Sequence, residues 1–293
     1  MAAADIRLGA LEAGGTKMVC AVGTADGTVL ERESFPTLTP GETLPGLVEW
    51  FESRGISALG IGAFGPTRVD PNAADFGAIL ETPKVAWRGC QLRDAFAEKL
   101  GVPVGYDTDV NVACLGEATF GSCKGLDDCV YVTIGTGIGA GVMCGGNLLH
   151  GMLHPEAGHM LVTRVAGDGG PCKCPSHASC LEGMAAGPSI ELRWGKPAAE
   201  LVERNEVWEL EGDYLAQMCM NLILCYSPKR IVLGGGVMHQ EQLFPIVRKK
   251  TLEYLGGYIS APELEDIDSY IVPAGCGGDQ GILGCLELAR RAL

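Results

Sequence analysis

Between residues 150 and 182 the sequence gathers groups that bind metals. Four of its five histidines, His150, His154, His159 and His177, fall there with Cys172, Cys174 and Cys180. The core of the cluster reads C-x-C-P-x-x-H-x-x-C. Thiolates and imidazoles on loops this short are natural zinc ligands, and four of them close a tetrahedral structural site. The expected set is His159, Cys174, His177 and Cys180, with Cys172 in reserve. Unligated polar loop residues are one alternative. A nucleic-acid zinc finger is another, although a lone cluster in an acidic chain speaks against it. Glu156 and Glu182 lie among these ligands. Carboxylates on loops tied down by a metal make rigid acceptors for sugar hydroxyls; otherwise they are solvated loop glutamates.

Three glycine-rich turns suggest a second chemistry. Gly14-Gly15-Thr16-Lys17 joins two apolar runs, where bare backbone can approach a phosphate, Thr16 offers a hydroxyl and Lys17 a charge. Gly135-Thr136-Gly137-Ile138-Gly139 repeats the arrangement. Gly234-Gly235-Gly236 falls between a strand pattern and a helix pattern, where helix N–H groups can hold a nucleotide. Any one of these could be a tight hairpin and no more; three at equivalent strand ends point to phosphate. No G-x-x-x-x-G-K-[ST] occurs, and the run 135–141 continues into a strand rather than opening a helix. A P-loop and a dinucleotide fingerprint are thereby disfavoured. Asp107-Thr108-Asp109-Val110-Asn111 stands between a strand and a helix. A carboxylate there can cap the helix, or Asp109 can serve as general base toward an attacking hydroxyl.

The elements that must position these groups are legible from periodicity. Strands are expected at 6–11, 18–22 and 28–35, followed by a helix that Thr39-Pro40 starts and Gly55 ends. A buried strand, 58–64, runs into Gly65-Pro66; a helix near 90–100 stops at Gly101; a strand at 103–106 leads to Asp107. The pattern then restarts with a strand at 129–134, a glycine turn over 135–141, a returning strand pair, a long helical region over 198–226 and a strand at 230–233. Two similar α/β halves are expected, 1–121 and 122–280, with the last helix, 281–293, returning to the first. The 293 residues suffice for two cores. A net charge of −14 disfavours a phosphate-backbone binder, so no nucleic-acid partner is expected. No signal peptide or membrane span is read, and the 13 cysteines suit a reducing cytoplasm.

EAGGTK, DTDVNVACLGE, VTIGTGIGAGV, HPEAGH, the Cys/His loop followed by LEG, and LGGGV occur in this order over nearly the whole chain. Together they resemble the ROK family (repressors, open reading frames and sugar kinases). The resemblance implies a two-domain actin-like ATPase (ribonuclease H-like) fold with the active site in an interdomain cleft, and kinases that phosphorylate hexoses with Mg-ATP. It implies Gly14, Gly15, Thr16 and Lys17 as the first phosphate loop and Thr133, Gly135, Thr136 and Gly137 as the second. Gly234, Gly235, Gly236, Val237 and Met238, assisted by Pro188, would hold adenosine. Asp109 matches the catalytic base; Gly65, Pro66, Thr108, Glu156, His159 and Glu182 match the sugar-binding set. Glu12 stands where many relatives have Asp near magnesium. Thr108 in place of a common Asn, and His177 in place of a third cysteine, resemble the short bacterial fructokinase branch. Fructose, ATP, Mg²⁺ and a structural Zn²⁺ are therefore expected, in a cytoplasmic homodimer. Only eleven residues precede Glu12, too few for the helix-turn-helix of the family's repressors. Kinases for glucose, mannose or N-acetylmannosamine, and a non-catalytic sugar sensor, are the rivals.

Overall fold

The computed structural model of the protein describes residues 6–293. Its first sheet starts with β1 (Leu8–Ala13), β2 (Lys17–Gly23) and β3 (Val29–Pro36). Thr39 then opens α1 (Pro40–Glu52) through a capping box with Glu42, and Pro40 takes the first turn, where no amide bond is lost. There follow β4 (Ala58–Ala63), α2 (Leu92–Leu100), β5 (Val104–Thr108) and α3 (Asp109–Thr119). The second sheet holds β6 (Cys129–Ile134), β7 (Ile138–Cys144) and β8 (Asn147–Leu148). Next come α4 (Leu181–Ala185), α5 (Gly187–Trp194), α6 (Asn205–Tyr226), β9 (Ile231–Gly234), α7 (Leu243–Leu255), α8 (Pro262–Glu265), α9 (Ile267–Tyr270) and β10 (Ile271–Pro273). The last element is α10 (Gln280–Ala292).

The chain divides into two compact units. Unit 1 holds the described residues up to Gly125, Leu148–Pro155 and Gly275–Leu293; unit 2 holds Leu126–Asn147 and Glu156–Ala274. The stretch Leu148–Pro155 thus goes with unit 1, although by sequence it lies inside the second half.

In unit 1 the sheet order is β3-β2-β1-β4-β5. β4 is buried throughout, so it reads as a continuous apolar run, whereas β3 is an edge strand whose exposed Glu31, Arg32 and Glu33 discourage further pairing. One face packs Leu47, Phe51 and Phe96 against Leu11, Met18 and Ile61. The other packs Val112, Ile282, Cys285 and Leu286 against Leu8, Ala10 and Ala21. There α3 and α10 touch backbone to backbone: a Cβ on Gly284 would lie 1.6 Å from the Val112 carbonyl oxygen, and one on Gly116 2.1 Å from that of Gln280. Only glycine permits that approach.

Unit 2 repeats the plan with order β10-β9-β6-β7-β8, β9 being parallel and β7 antiparallel to β6. Three details differ from the sequence expectation. The second glycine turn is confined to Gly135–Gly137, because β7 starts pairing at Ile138. Helix α6 starts only at Asn205; the indole N–H of Trp208 takes the carbonyls of Leu201 and Val202, which a longer helix would need for itself. Gly234–Gly236 leads into a single short turn, Gly236–His239, and α7 begins later, at Leu243. Among the described residues no helix is long and apolar enough to cross a membrane.

Candidate active site and metal cluster

In unit 1, β1, β4 and β5 run parallel and end level: Ala13 pairs with Ala63, and Ala63 with Thr108. The turn 14–17, the bend Gly65-Pro66 and the start of α3 therefore leave one edge of the sheet, at the carboxyl ends of parallel strands, where α/β proteins place ligands. The first turn is braced: Gly14 N–H donates to the Lys17 carbonyl (3.1 Å), Thr37 Oγ1 to that of Gly14 (2.7 Å) and Thr37 N–H to that of Thr16 (3.0 Å). Gly14 N–H is thus spent within the turn. Lys17 is exposed at the start of β2. Glu12 faces the first turn of α10, where a Cβ on Gly281 would meet its carboxyl at 2.9 Å. Burial pushes the Glu12 carboxyl up, against the pull of Lys17 and Arg32.

The helix-capping alternative for Asp109 is corrected here. Thr108 is the N-cap: it keeps extended backbone, and its Oγ1 accepts the Asn111 N–H at 3.1 Å. Asp109 is already the first helical residue, with Oδ1 accepting Val110 N–H at 2.8 Å. Behind it, Asp107 is 2 % exposed. Its Oδ1 accepts from Asn111 Nδ2 (2.7 Å) and its Oδ2 pairs with His150 Nε2 (2.8 Å). The Asp107 hydrogen bond raises the His150 pKa above its ordinary value. His154 Nε2 accepts the Thr67 N–H at 3.2 Å, beside Gly65-Pro66.

In unit 2 the nucleotide candidates adjoin one another. Thr133 pairs with Gly234 across β6 and β9. Gly187 N–H, next to Pro188, donates to the Gly135 carbonyl at 2.8 Å. Gly235 has φ +89°, and a Cβ there would strike the Ile134 backbone at 2.5 Å, so a side chain is doubly barred. Val237 and Met238 are buried behind it. Thr136 lies between Gly135 and Gly137 in the turn. Glu182 closes this turn from the other side: its Oε2 accepts the Ile138 N–H at 3.0 Å, and its Oε1 lies 3.9 Å from His159 Nε2. The Glu156 carbonyl accepts the His159 N–H at 2.9 Å.

The ligand atoms of His159, Cys174, His177 and Cys180 all lie within 4.8 Å of one another. His159 Nδ1 is 3.9 Å from Cys174 Sγ and 3.7 Å from Cys180 Sγ; His177 Nδ1 is 3.3 Å from Cys174 Sγ. With zinc bonds of about 2.3 Å to sulfur and about 2.0 Å to nitrogen, neighbouring ligands of one tetrahedral ion stand roughly 3.5 Å apart. Two thiols and two imidazoles at these separations fit zinc. Cys172 is not in the group; its Sγ donates instead to the His177 carbonyl at 3.1 Å.

Paired α/β units with glycine turns at their strand ends define an actin-like ATPase fold of the sugar-kinase kind. The chain belongs to the ROK family, whose sequence profile matches residues 8–292. It is 44 % identical over 286 residues to a fructokinase of Pediococcus pentosaceus, covering 98 % of each chain. To a fructokinase of Zymomonas mobilis it is 40 % identical, over 97 % of this chain and 96 % of that one. The crystal structure of a ROK family glucokinase from Streptomyces griseus, in complex with glucose and AMPPNP, superposes with a TM-score of 0.76 at 26 % identity, covering 97 % and 99 % of the two chains.

Sequence reasoning counted His150 in the histidine cluster but not its bond to Asp107, 43 positions away, and passed over Lys84, which lies against Gly15. The one available signal for His150 was the crowding of histidines before HPEAGH; Lys84 sits in no motif.

Proposed function

We propose that this ATP-dependent sugar kinase acts on fructose, yielding fructose 6-phosphate and ADP. The supporting observation is the contrast in similarity: 44 % and 40 % identity to two fructokinases over nearly full length, against 26 % to the glucokinase. Thr108 and His177 tilt the same way.

In this reading unit 1 supplies Asp109 as general base, Thr108, Gly65 and Pro66 as sugar contacts, and Gly14 to Lys17 as a phosphate turn. Unit 2 supplies Gly135 to Gly137 with Thr133 as the second phosphate turn, Pro188 and Gly234 to Met238 for adenosine, and Glu156, His159 and Glu182 for the sugar. Asp109 starts α3, so its carboxylate is held by a capped helix while it accepts the hydroxyl proton. His159, Cys174, His177 and Cys180 would hold a structural zinc, which supplies rigidity to the loop bearing the sugar ligands. ATP would bring Mg²⁺, which supplies charge neutralisation at the phosphates; the desolvated Glu12 carboxyl, raised by burial, suits a neighbouring cation.

The test is kcat/KM for fructose, mannose and glucose with purified protein and Mg-ATP. Fructose should lead; a glucose value tenfold above that for fructose would sink the assignment. A homodimer in the cytoplasm, expected from the resemblance, is checked by light scattering and by fractionation.

A further inference from the structure

Lys84 lies between β4 and α2, on a segment fixed from several directions. The buried Thr82 has its carbonyl bonded by Arg88 Nε at 2.8 Å, and its Oγ1 accepts the Lys84 N–H at 3.4 Å. Trp87, 1 % exposed, donates its indole N–H to the Leu38 carbonyl at 2.7 Å. Its backbone N–H donates to the Lys84 carbonyl at 2.9 Å. Leu80 N–H bonds the Pro66 carbonyl at 2.9 Å, tying the segment to the Gly65-Pro66 bend.

From this anchored backbone the Lys84 side chain crosses the open face of the first glycine turn. A Cβ on Gly15 would stand 3.2 Å from Lys84 Cε, and apart from the chain neighbours Gly14 and Thr16 no other described residue comes within 4 Å of that position. Among the described residues no carboxylate pairs with the Lys84 ammonium. Gly15 and Thr16, unlike Gly14, have no turn partner for their N–H groups among the described residues. An unpaired cation and unspent amide donors thus sit at one turn that carries no side chain at position 15. An ammonium on a flexible stem is a strong partner for phosphate oxygens.

We propose that Lys84 is a catalytic residue whose ammonium pairs with the terminal phosphate of ATP at the Gly15 turn. The proposal rests on the kinase reading above and adds a cation outside the glycine motifs. In the transfer, the sugar hydroxyl oxygen bonds the γ-phosphorus, the bond from that phosphorus to the ADP oxygen breaks, and the hydroxyl proton goes to Asp109. Lys84 keeps its protons and offsets charge on the oxygens in flight, as fixed cations do in phosphoryl transfer.

Two measurements test this on the full chain. Lys84→Met keeps the length of the side chain and removes its charge; kcat with Mg-ATP and fructose should fall about 10²-fold, the loss typical for one transition-state donor. KM for fructose should stay near the parent value, and Lys84→Arg should recover much of the loss. In calorimetric titration the parent should bind ATP more tightly than ADP, and Lys84→Met should narrow that difference. A Met variant with kcat within threefold of the parent and the same ATP-to-ADP ratio would overturn the proposal. So would a change confined to KM for fructose. If the parent phosphorylates no hexose, the kinase reading fails separately, and the two nucleotide titrations still decide whether Lys84 meets the terminal phosphate.

Discussion

The carboxylate of Glu182 accepts the backbone N–H of Ile138 at 3.0 Å. Ile138 opens β7 directly after the second glycine turn, and Glu182 follows the last metal-cluster cysteine. One side chain therefore braces the second glycine turn while its other oxygen stands beside His159. Glu182→Ala should raise KM for ATP as well as for fructose, because the turn loses its brace and the Ile138 N–H its acceptor, a loss of about 1–3 kcal/mol. Steady-state kinetics with each substrate varied decide this. An unchanged KM for ATP would make Glu182 a sugar ligand only.

Asp109→Asn should lower kcat by about 10²–10⁴ through loss of the proton acceptor. Stability should hold, because Thr108 caps α3. Thr108→Ala, by contrast, should cost about 1 kcal/mol of stability as a lost N-cap. Thermal melts alongside kcat separate the two. An Asp109→Asn enzyme within about threefold of the parent in kcat would remove Asp109 from the mechanism.

Freshly purified, chelator-free protein should carry one zinc per chain by elemental analysis. Cys174→Ser and Cys180→Ser should lower both metal content and melting temperature, since each removes a ligand from a closed site. Cys172→Ser should leave the zinc in place, because Cys172 points to the His177 carbonyl instead. Full zinc occupancy in Cys174→Ser would refute the ligand set.

The Asp107–His150 pair predicts a pH dependence of stability. The hydrogen bond to Asp107 raises the His150 pKa above 6.5 in the folded chain. Folding then favours the protonated ring. That contribution is fully present below about pH 6.5 and is lost as pH climbs through the raised folded value. The melting-temperature gap between the parent and His150→Gln should therefore be wider near about pH 6 than near about pH 9. A gap that stays constant, or widens with pH, would show that the pair contributes no proton-linked stability.

What was legible in the sequence was local. β4 declared itself as six apolar or glycine residues running on to Gly65-Pro66, and α1 by Thr39-Pro40 at its start. The four side chains that come together as a possible metal site were legible because they lie within one short stretch. Which cysteine to leave out depended on how Cys172 turns beside Gly183, where a Cβ would lie 2.2 Å from its Sγ. The cap of α3 was ambiguous for a related reason: Asp107, Thr108 and Asp109 all cap well, and backbone angles choose among them. Glu182 on Ile138, His150 on Asp107 and Lys84 over Gly15 join residues far apart in the chain. No periodicity or spacing encodes such meetings; they follow only once the strands have their order.

The backbone-tight seat of α10 has a consequence for how the protein is made. A ribosome delivers the strands of the first sheet early and α10 last, with all of unit 2 emerging in between. Until then Leu8, Ala10 and Ala21 lack the cover that Ile282, Cys285 and Leu286 provide. Domains usually mature in order of synthesis. Here the half begun first is completed only after unit 2 has been made, and its apolar face waits uncovered until α10 follows.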